Sequence, residues 1–240
     1  MAAWPALRRY TREEFVRRVW NHRPGEHVTI VGRTGSGKTT LGYELLARSV
    51  SQRHPGAVML SKPKDKTTDK ARTSYGWRLA RRWPPPRSFF ESRPPRAHVL
   101  APRFTYKDAD DKLAHTGVFQ SLMADTYQRG NRTVYAPDLY GLILRHPDLS
   151  EDFQTAWLNW RSNDADLWVD TQTATHIPLL GFNQPTHLLL FREADKRGRE
   201  RFDEIGGFDS KIVAQANMGL ALHEVLYINQ ADLTMCVVEA

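Results

Sequence analysis

The sequence contains little cysteine and no long apolar run. Cys236 is its one cysteine, so no disulfide can form within the chain, which is typical of a reducing compartment. No apolar run approaches the roughly 18 residues of a membrane-spanning helix, and residues 1–9 lack the apolar core of a signal peptide. The histidines show no spacing typical of zinc ligands. We therefore expect a cytoplasmic protein with no membrane segment and no zinc site.

Acidic residues are scarce in the first part of the chain. Residues 1–103 contain 22 Lys and Arg but 7 Asp and Glu, whereas residues 104–240 contain 12 and 20. A basic segment of this kind is typical of proteins that contact the phosphates of nucleic acids. A fold that mixes the two parts would leave no basic face, so charge alone leaves both interpretations open.

The strongest motif is Gly-Arg-Thr-Gly-Ser-Gly-Lys-Thr at residues 32–39, which matches G-x-x-x-x-G-K-[ST]. An apolar strand precedes it at residues 27–31 and an amphipathic helix follows at residues 40–48, as a phosphate-binding loop requires. Glycines let backbone amides curl around phosphate oxygens, and the helix N-terminus favours the anion. Lys38 should reach the terminal phosphates of ATP, and the Thr39 hydroxyl should bind Mg²⁺. The predicted nucleotide-binding residues are Gly32, Arg33, Thr34, Gly35, Ser36, Gly37, Lys38, Thr39 and Thr40.

Apolar strands and helical patterns alternate along the rest of the chain. This alternation predicts an α/β fold with a mainly parallel sheet flanked by helices. Residues 62–96 read as irregular and basic, and the two last strands pair as a C-terminal β-hairpin. We divide the chain into a basic N-terminal extension, residues 1–24, and a nucleotide-binding domain, residues 25–240. The other predicted strands are 56–61, 97–101, 133–138, 167–172, 187–192, 226–229 and 234–238, and the predicted helices are 11–20, 108–129, 150–162, 199–205 and 211–215.

Four further residues are candidates for catalysis or metal binding. Asp138 ends an apolar strand and could activate water or hold Mg²⁺, although Pro-Asp is also common in turns. Gln172 follows a strand and could orient water or sense the γ-phosphate; otherwise it caps that strand. Asp170 lies on the same face two residues earlier and could approach the metal or be a solvated edge residue. Arg161 could contact phosphate in a neighbouring subunit, or form a surface ion pair.

The order of these segments resembles the FtsK-HerA superfamily of DNA-pumping ATPases, over roughly residues 25–240. The phosphate loop is shared by many families and discriminates little. The segments that carry the resemblance are Lys62-Pro63-Lys64-Asp65, Trp83-Pro84-Pro85, Thr171-Gln172, Ile177-Pro178, Asp195-Lys196-Arg197 and Glu204-Ile205-Gly206-Gly207.

The chain departs from the family pattern at two positions. The family usually ends its second motif in Asp-Glu, whereas this chain has Pro137-Asp138, so proline stands at the metal-associated aspartate and Asp138 at the catalytic glutamate. The family's glycine-arginine pair is here Trp160-Arg161, which keeps the arginine. The first departure leaves nucleotide binding intact and puts fast hydrolysis in question.

The resemblance implies a RecA-like P-loop ATPase that binds ATP and Mg²⁺ and translocates or packages double-stranded DNA. Such enzymes work as rings, commonly hexamers, in which one subunit supplies an arginine to its neighbour's nucleotide. Two other interpretations stay open. The chain could be a nucleotide-gated DNA-binding or assembly protein with weak hydrolysis, or a P-loop kinase of a small molecule.

Overall fold

The computed structural model of the chain describes residues 7–60, 62, 65–86, 93–105 and 107–240. Residues 1–6 of the expected N-terminal extension lie outside the described residues. So do Pro63 and Lys64 of the lysine-proline-lysine-aspartate segment.

Ten strands of the described residues form one mixed, mostly parallel sheet. Their order across the sheet is β1-β10-β9-β8-β2-β7-β6-β3-β5-β4, and β9 is antiparallel to both of its neighbours. The strands are β1 (Arg8–Tyr10), β2 (Val28–Val31), β3 (Gly56–Met59), β4 (Arg78–Ala80), β5 (Ala97–Leu100), β6 (Thr133–Ala136), β7 (Asp166–Thr171), β8 (His187–Phe191), β9 (Val225–Asn229) and β10 (Thr234–Val238). The predicted parallel α/β sheet and its C-terminal hairpin are thus confirmed.

Helices follow most of these strands. A π-helical turn, Phe15–Val19, extends the first helix, and several 3-10 turns join the others. The α-helices are α1 (Arg12–Glu14), α2 (Lys38–Ser49), α3 (Lys66–Ser74), α4 (Asp108–Arg129), α5 (Leu139–Arg145), α6 (Ser150–Asn159), α7 (Leu180–Asn183), α8 (Lys196–Glu200) and α9 (Ser210–Met218). No helix among the described residues is long and apolar enough to cross a membrane.

Side chains alternate between the two faces of the sheet and bury two layers of core. On β7, Trp168 packs with α2 and the π-helical turn, whereas Leu167 and Val169 pack with α4 and α6. All six residues of β7 are buried, as expected for a central strand covered on both faces. The even-numbered side chains of β7 therefore face α2, which sets the position of Asp170.

Two parts of the chain differ from their predicted structure. Residues 62–96, predicted to be irregular, contain helix α3 and the short edge strand β4. Residues 8–10 of the expected extension pair with β10 in the sheet, and Phe15 and Trp20 pack in the core. Neither short strand carries the apolar alternation by which strands are recognised in a sequence.

Candidate nucleotide-binding site

Residues 32–39 connect β2 to α2 at the carboxyl edge of the sheet, and Lys38 and Thr39 are the first two residues of α2. Gly35 and Gly37 have φ angles of 84° and 95°, in the left-handed region that favours glycine. A Cβ at Gly32 would lie 2.6 Å from Ser36 Oγ and 2.9 Å from Phe191, so only glycine fits there. Ser36 Oγ is buried and has no hydrogen-bond partner among the described residues. A polar ligand in the loop, such as a phosphate oxygen, would satisfy it.

Asp170 lies directly beside this loop because β7 pairs with β2. Ile30 is the register partner of Asp170, and the Thr39 hydroxyl donates to Asp170 Oδ2 at 3.1 Å. The same oxygen accepts a hydrogen bond of 2.7 Å from the Tyr135 hydroxyl. The carboxylate is 1% exposed. Burial raises the pKa of Asp170, and the charge of Lys38 and these hydrogen bonds oppose that rise.

Asp138 follows β6 and starts α5 with a left-handed backbone, φ 58° and ψ 54°. Its backbone N–H donates to Asp170 Oδ1 at 2.9 Å, whereas its own carboxylate forms an ion pair with Lys62. A Cβ at Gly141 would lie 2.7 Å from Asp138 Oδ2, so glycine leaves room for that carboxylate. Asp138 therefore lies beside Asp170, but its side chain is turned towards Lys62.

Gln172 is exposed, one residue beyond the end of β7. It shares a pocket of about 610 Å³ with Arg33 and Thr34 of the loop. Glu193, which sequence reasoning missed, positions the segment after Gln172. Glu193 is 5% exposed, and its Oε2 accepts hydrogen bonds of 3.1 Å from both the Thr173 hydroxyl and the Ala174 amide. The signal was an acid two residues past an apolar strand, as at Asp138.

A second pocket, of about 690 Å³, is lined by Arg33, Thr34, Gly35 and Ser36 of the loop. His223, also missed, has a left-handed backbone, φ 67°, and its Nδ1 lies 2.9 Å from the Ser36 carbonyl oxygen. Apolar side chains of Met218 and Leu222 and the polar Arg199 also line this pocket. It has the size and mixed lining expected of a site for a small organic ligand.

Arg161 lies at the opposite, amino edge of the sheet. A Cβ at Gly25, in the turn before β2, would lie 3.0 Å from the Arg161 carbonyl oxygen. Arg161 is exposed and precedes the first residue of β7. The structure therefore brings the loop, Asp170, Asp138 and Gln172 to one edge and places Arg161 away from its own loop.

The described residues contain oxygen ligands that suit Mg²⁺. Thr39 and Asp170 offer a hydroxyl and a carboxylate, and Mg²⁺ commonly takes one or two protein ligands and completes its shell with phosphate and water. No group of three or more His, Cys, Asp or Glu side chains within the described ranges could hold a metal without such help.

Comparison with protein-family models and with curated proteins finds no match. Several solved structures share the fold. The genome packaging NTPase B204 from Sulfolobus turreted icosahedral virus 2, in complex with AMPPCP, has a TM-score of 0.59 and 14% identity, covering 91% of this chain and 99% of that one. VirB4 of Thermoanaerobacter pseudethanolicus has a TM-score of 0.64 and 10% identity, covering 92% of both chains. The pCW3 conjugation coupling protein TcpA, with ATPγS, has a TM-score of 0.56 and 13% identity, covering 90% and 60%.

These similarities agree with the resemblance that the sequence motifs carry. The neighbours include a viral genome packaging NTPase and a conjugation coupling protein, and each match covers about nine-tenths of this chain. At these identities the similarity shows the fold and leaves the activity to be tested. The chain has an α/β P-loop NTPase fold, which it shares with B204, VirB4 and TcpA.

Proposed function

We propose that the protein is an ATPase that binds Mg²⁺-ATP in the loop of residues 32–39 and couples its turnover to movement of double-stranded DNA. The observation that carries the proposal is a complete phosphate loop whose Thr39 hydrogen-bonds to a buried carboxylate on the neighbouring strand. Structural neighbours in complex with AMPPCP and ATPγS support nucleotide binding.

Each residue at the carboxyl edge of the sheet has a role that follows from its position. Lys38 and the loop amides hold the phosphates, because the α2 N-terminus favours an anion there. Bound Mg²⁺ would neutralise charge on the phosphates, and Thr39 with a carboxylate would hold it. Gln172 orients the attacking water from the pocket it shares with Thr34. Asp138 accepts the proton of that water when Lys62 leaves its carboxylate.

Exposed cations on α3 and the segment after it support a DNA partner. Asp65 caps α3, whose buried residues are Thr68 and Ala71, so its other positions are available to a partner. Trp77 is 4% exposed and packs in the core, so its ring is not available to a partner. The described residues 65–86 thus present a basic, sequence-neutral surface of the kind that duplex phosphates recruit. Its exposed cations are Lys66, Lys70, Arg78, Arg81 and Arg82.

A ring, of the commonly hexameric kind that the sequence resemblance implies, would give Arg161 a role. Because Arg161 lies at the amino edge of the sheet, it reaches a nucleotide only if that nucleotide belongs to a neighbouring subunit. In such a ring, an arginine of the neighbouring subunit would complete the nucleotide site.

A second function, a nucleotide-gated DNA-binding or assembly protein with weak hydrolysis, is favoured by one observation. Proline occupies position 137, and the only carboxylate that follows β6 directly is paired with Lys62. In that case ATP would bind normally and turn over slowly.

The test is the rate of ATP hydrolysis with and without duplex DNA, together with the native mass of the protein. We expect DNA to raise the rate, and we expect DNA affinity to fall steeply between low and physiological salt with little sequence preference. Lys38→Ala is the control, because it removes the phosphate-binding cation and should abolish turnover. Tight ATP binding with hydrolysis near the Lys38→Ala level would support the second function. Phosphate transfer to a small acceptor, with no DNA binding at low salt, would refute both.

A further inference from the structure

We propose that Asp170 is the carboxylate that holds the Mg²⁺ of the bound nucleotide, in place of a residue at the end of β6. This inference rests on the proposed nucleotide binding and concerns which strand supplies the metal ligand. In this chain the ligand comes from β7, the strand that pairs directly with the phosphate-loop strand β2.

The position of Asp170 relative to Thr39 is the first argument. The register of Ile30 with Asp170 places the carboxylate on the face of the sheet that α2 covers, one strand from the loop. Thr39 Oγ1 and Asp170 Oδ2 are 3.1 Å apart. Two oxygens at this separation can share one small cation, each contributing one position of an octahedral shell.

Asp170 forms no ion pair among the described residues, although the charge of Lys38 acts on it. Its described partners are neutral donors: the hydroxyls of Thr39 and Tyr135 and the amide of Asp138. No cationic side chain of the described residues forms an ion pair with it, although it is 1% exposed. Lys38 offsets part of the cost of burying this carboxylate, and in the proposed complex Lys38 binds the phosphates. A cation entering with the nucleotide would then stabilise the carboxylate in its place.

The surroundings of Asp170 fix the position of its carboxylate. Tyr135 is fully buried on β6, and its hydroxyl is 2.7 Å from Asp170 Oδ2. That hydroxyl fits under α2 because residue 42 is glycine: a Cβ there would lie 2.4 Å from it. Gly42 and Tyr135 therefore act as positioning residues for Asp170, and the arrangement involves three elements, α2, β6 and β7.

Asp138 is turned away from this position. The backbone amide of Asp138 donates a hydrogen bond to Asp170, whereas the Asp138 carboxylate is 20% exposed and paired with Lys62. Pro137 offers neither a carboxylate nor an amide hydrogen. The residues at the end of β6 therefore hydrogen-bond to Asp170, and Asp170 is the residue that binds the metal.

The experiment measures the affinity of a non-hydrolysable ATP analogue by titration calorimetry, with Mg²⁺ and with a chelator in its place. For the wild type we expect Mg²⁺ to tighten binding at least tenfold. Asp170→Asn, which keeps the shape of the side chain, should lose this gain and keep the affinity measured in chelator. The matched control Asp138→Asn should retain the full gain, and Tyr135→Phe should lose part of it.

Electron paramagnetic resonance with Mn²⁺ gives a second readout that does not depend on turnover. Ternary complexes of the wild type and of Asp138→Asn should show the same Mn²⁺ coordination, and that of Asp170→Asn should differ. A full Mg²⁺ gain in Asp170→Asn, or its loss in Asp138→Asn alone, would overturn the proposal. A wild type that binds no analogue under either condition would instead overturn the proposed function. If Asp170→Asn does not fold, the comparison passes to Tyr135→Phe, whose unchanged Mg²⁺ gain would count against the proposal.

Discussion

Asp166→Asn is expected to destabilise the fold at the edge opposite the nucleotide site. Asp166 is the first residue of β7 and is fully buried. Its Oδ1 lies 2.9 Å from His54 Nε2 and 3.3 Å from the Gly25 amide, and its Oδ2 lies 2.8 Å from Trp168 Nε1 and 3.4 Å from His22 Nε2. One carboxylate therefore joins the turn before β2, the segment after α2 and the central strand.

Asp166→Asn removes a buried charge and leaves its partners in place, and this determines how much stability is lost. Removing one member of a buried ion pair costs about 3–5 kcal/mol, and asparagine retains one acceptor oxygen, so we expect about 3 kcal/mol. For a domain of this size that corresponds to a fall in melting temperature of about 6–12 °C. Asp203→Asn is the matched control, because Asp203 is exposed, and it should change the free energy of unfolding by less than about 0.5 kcal/mol.

The loss should depend on pH. Burial alone would raise the pKa of Asp166, but the charges and hydrogen bonds of His22 and His54 hold it far below its usual value. Burial alone would lower the pKa of His54, because it disfavours the charged imidazolium. The hydrogen bond to Asp166 has the larger effect, so the pKa of His54 is raised. The Asp166 contribution is present above about pH 4, and the His54 contribution is present below about pH 6.5 and is lost as pH rises through its folded-state pKa.

The difference in stability between wild type and Asp166→Asn is therefore largest between about pH 4 and 6.5 and smaller at higher pH. Urea unfolding followed by tryptophan fluorescence at pH 5.5 and at pH 8.5 measures it. Equal stability of the two proteins at pH 5.5, or a difference that does not shrink at pH 8.5, would refute the reasoning.

Two further substitutions test the nucleotide site. Gly42→Ala places a Cβ 2.4 Å from the Tyr135 hydroxyl and should lower the free energy of unfolding by about 1–3 kcal/mol, measured by thermal unfolding. The control Gly117→Ala, at a helix position with nothing within 4 Å, should be neutral or stabilising. Equal effects of the two substitutions would contradict the close packing at Gly42. Arg161→Ala should keep ATP affinity and lower the rate of hydrolysis, and mixing it with Lys38→Ala subunits should restore part of the rate. Wild-type turnover by Arg161→Ala would place the contributing arginine elsewhere.

Where a local motif fixes the structure, the sequence was sufficient. The glycine pattern of residues 32–39 requires a strand before it and a helix after it, and both are present. Helix α4 has the predicted bounds, 108–129, because it is long and periodic, and the hairpin of β9 and β10 follows from two apolar runs separated by a short turn.

Elements without a periodic apolar face were missed. Helix α3 buries only Thr68 and Ala71, so its sequence reads as a polar, irregular segment. Strand β1 gains its place by pairing with β10, which lies more than two hundred residues away along the chain. The strand order that brings Asp170 to Thr39 is likewise a property of long-range pairing. The sequence could name Asp170 as a candidate, but it could not rank it above Asp138.

The two buried carboxylates of β7 show why the partners of a charge say more than its burial. Asp166 and Asp170 lie on the same face of one strand, four residues apart, and each is no more than 1% exposed. Asp166 has two histidines beside it, so its charge has partners within the fold. Asp170, within the described residues, has hydroxyls and an amide but no ion-pair partner. Desolvation costs both carboxylates alike, and at Asp170 only the charge of Lys38 and neutral donors oppose that cost. A cation bound with a nucleotide at the adjoining phosphate loop would therefore stabilise Asp170 more than Asp166.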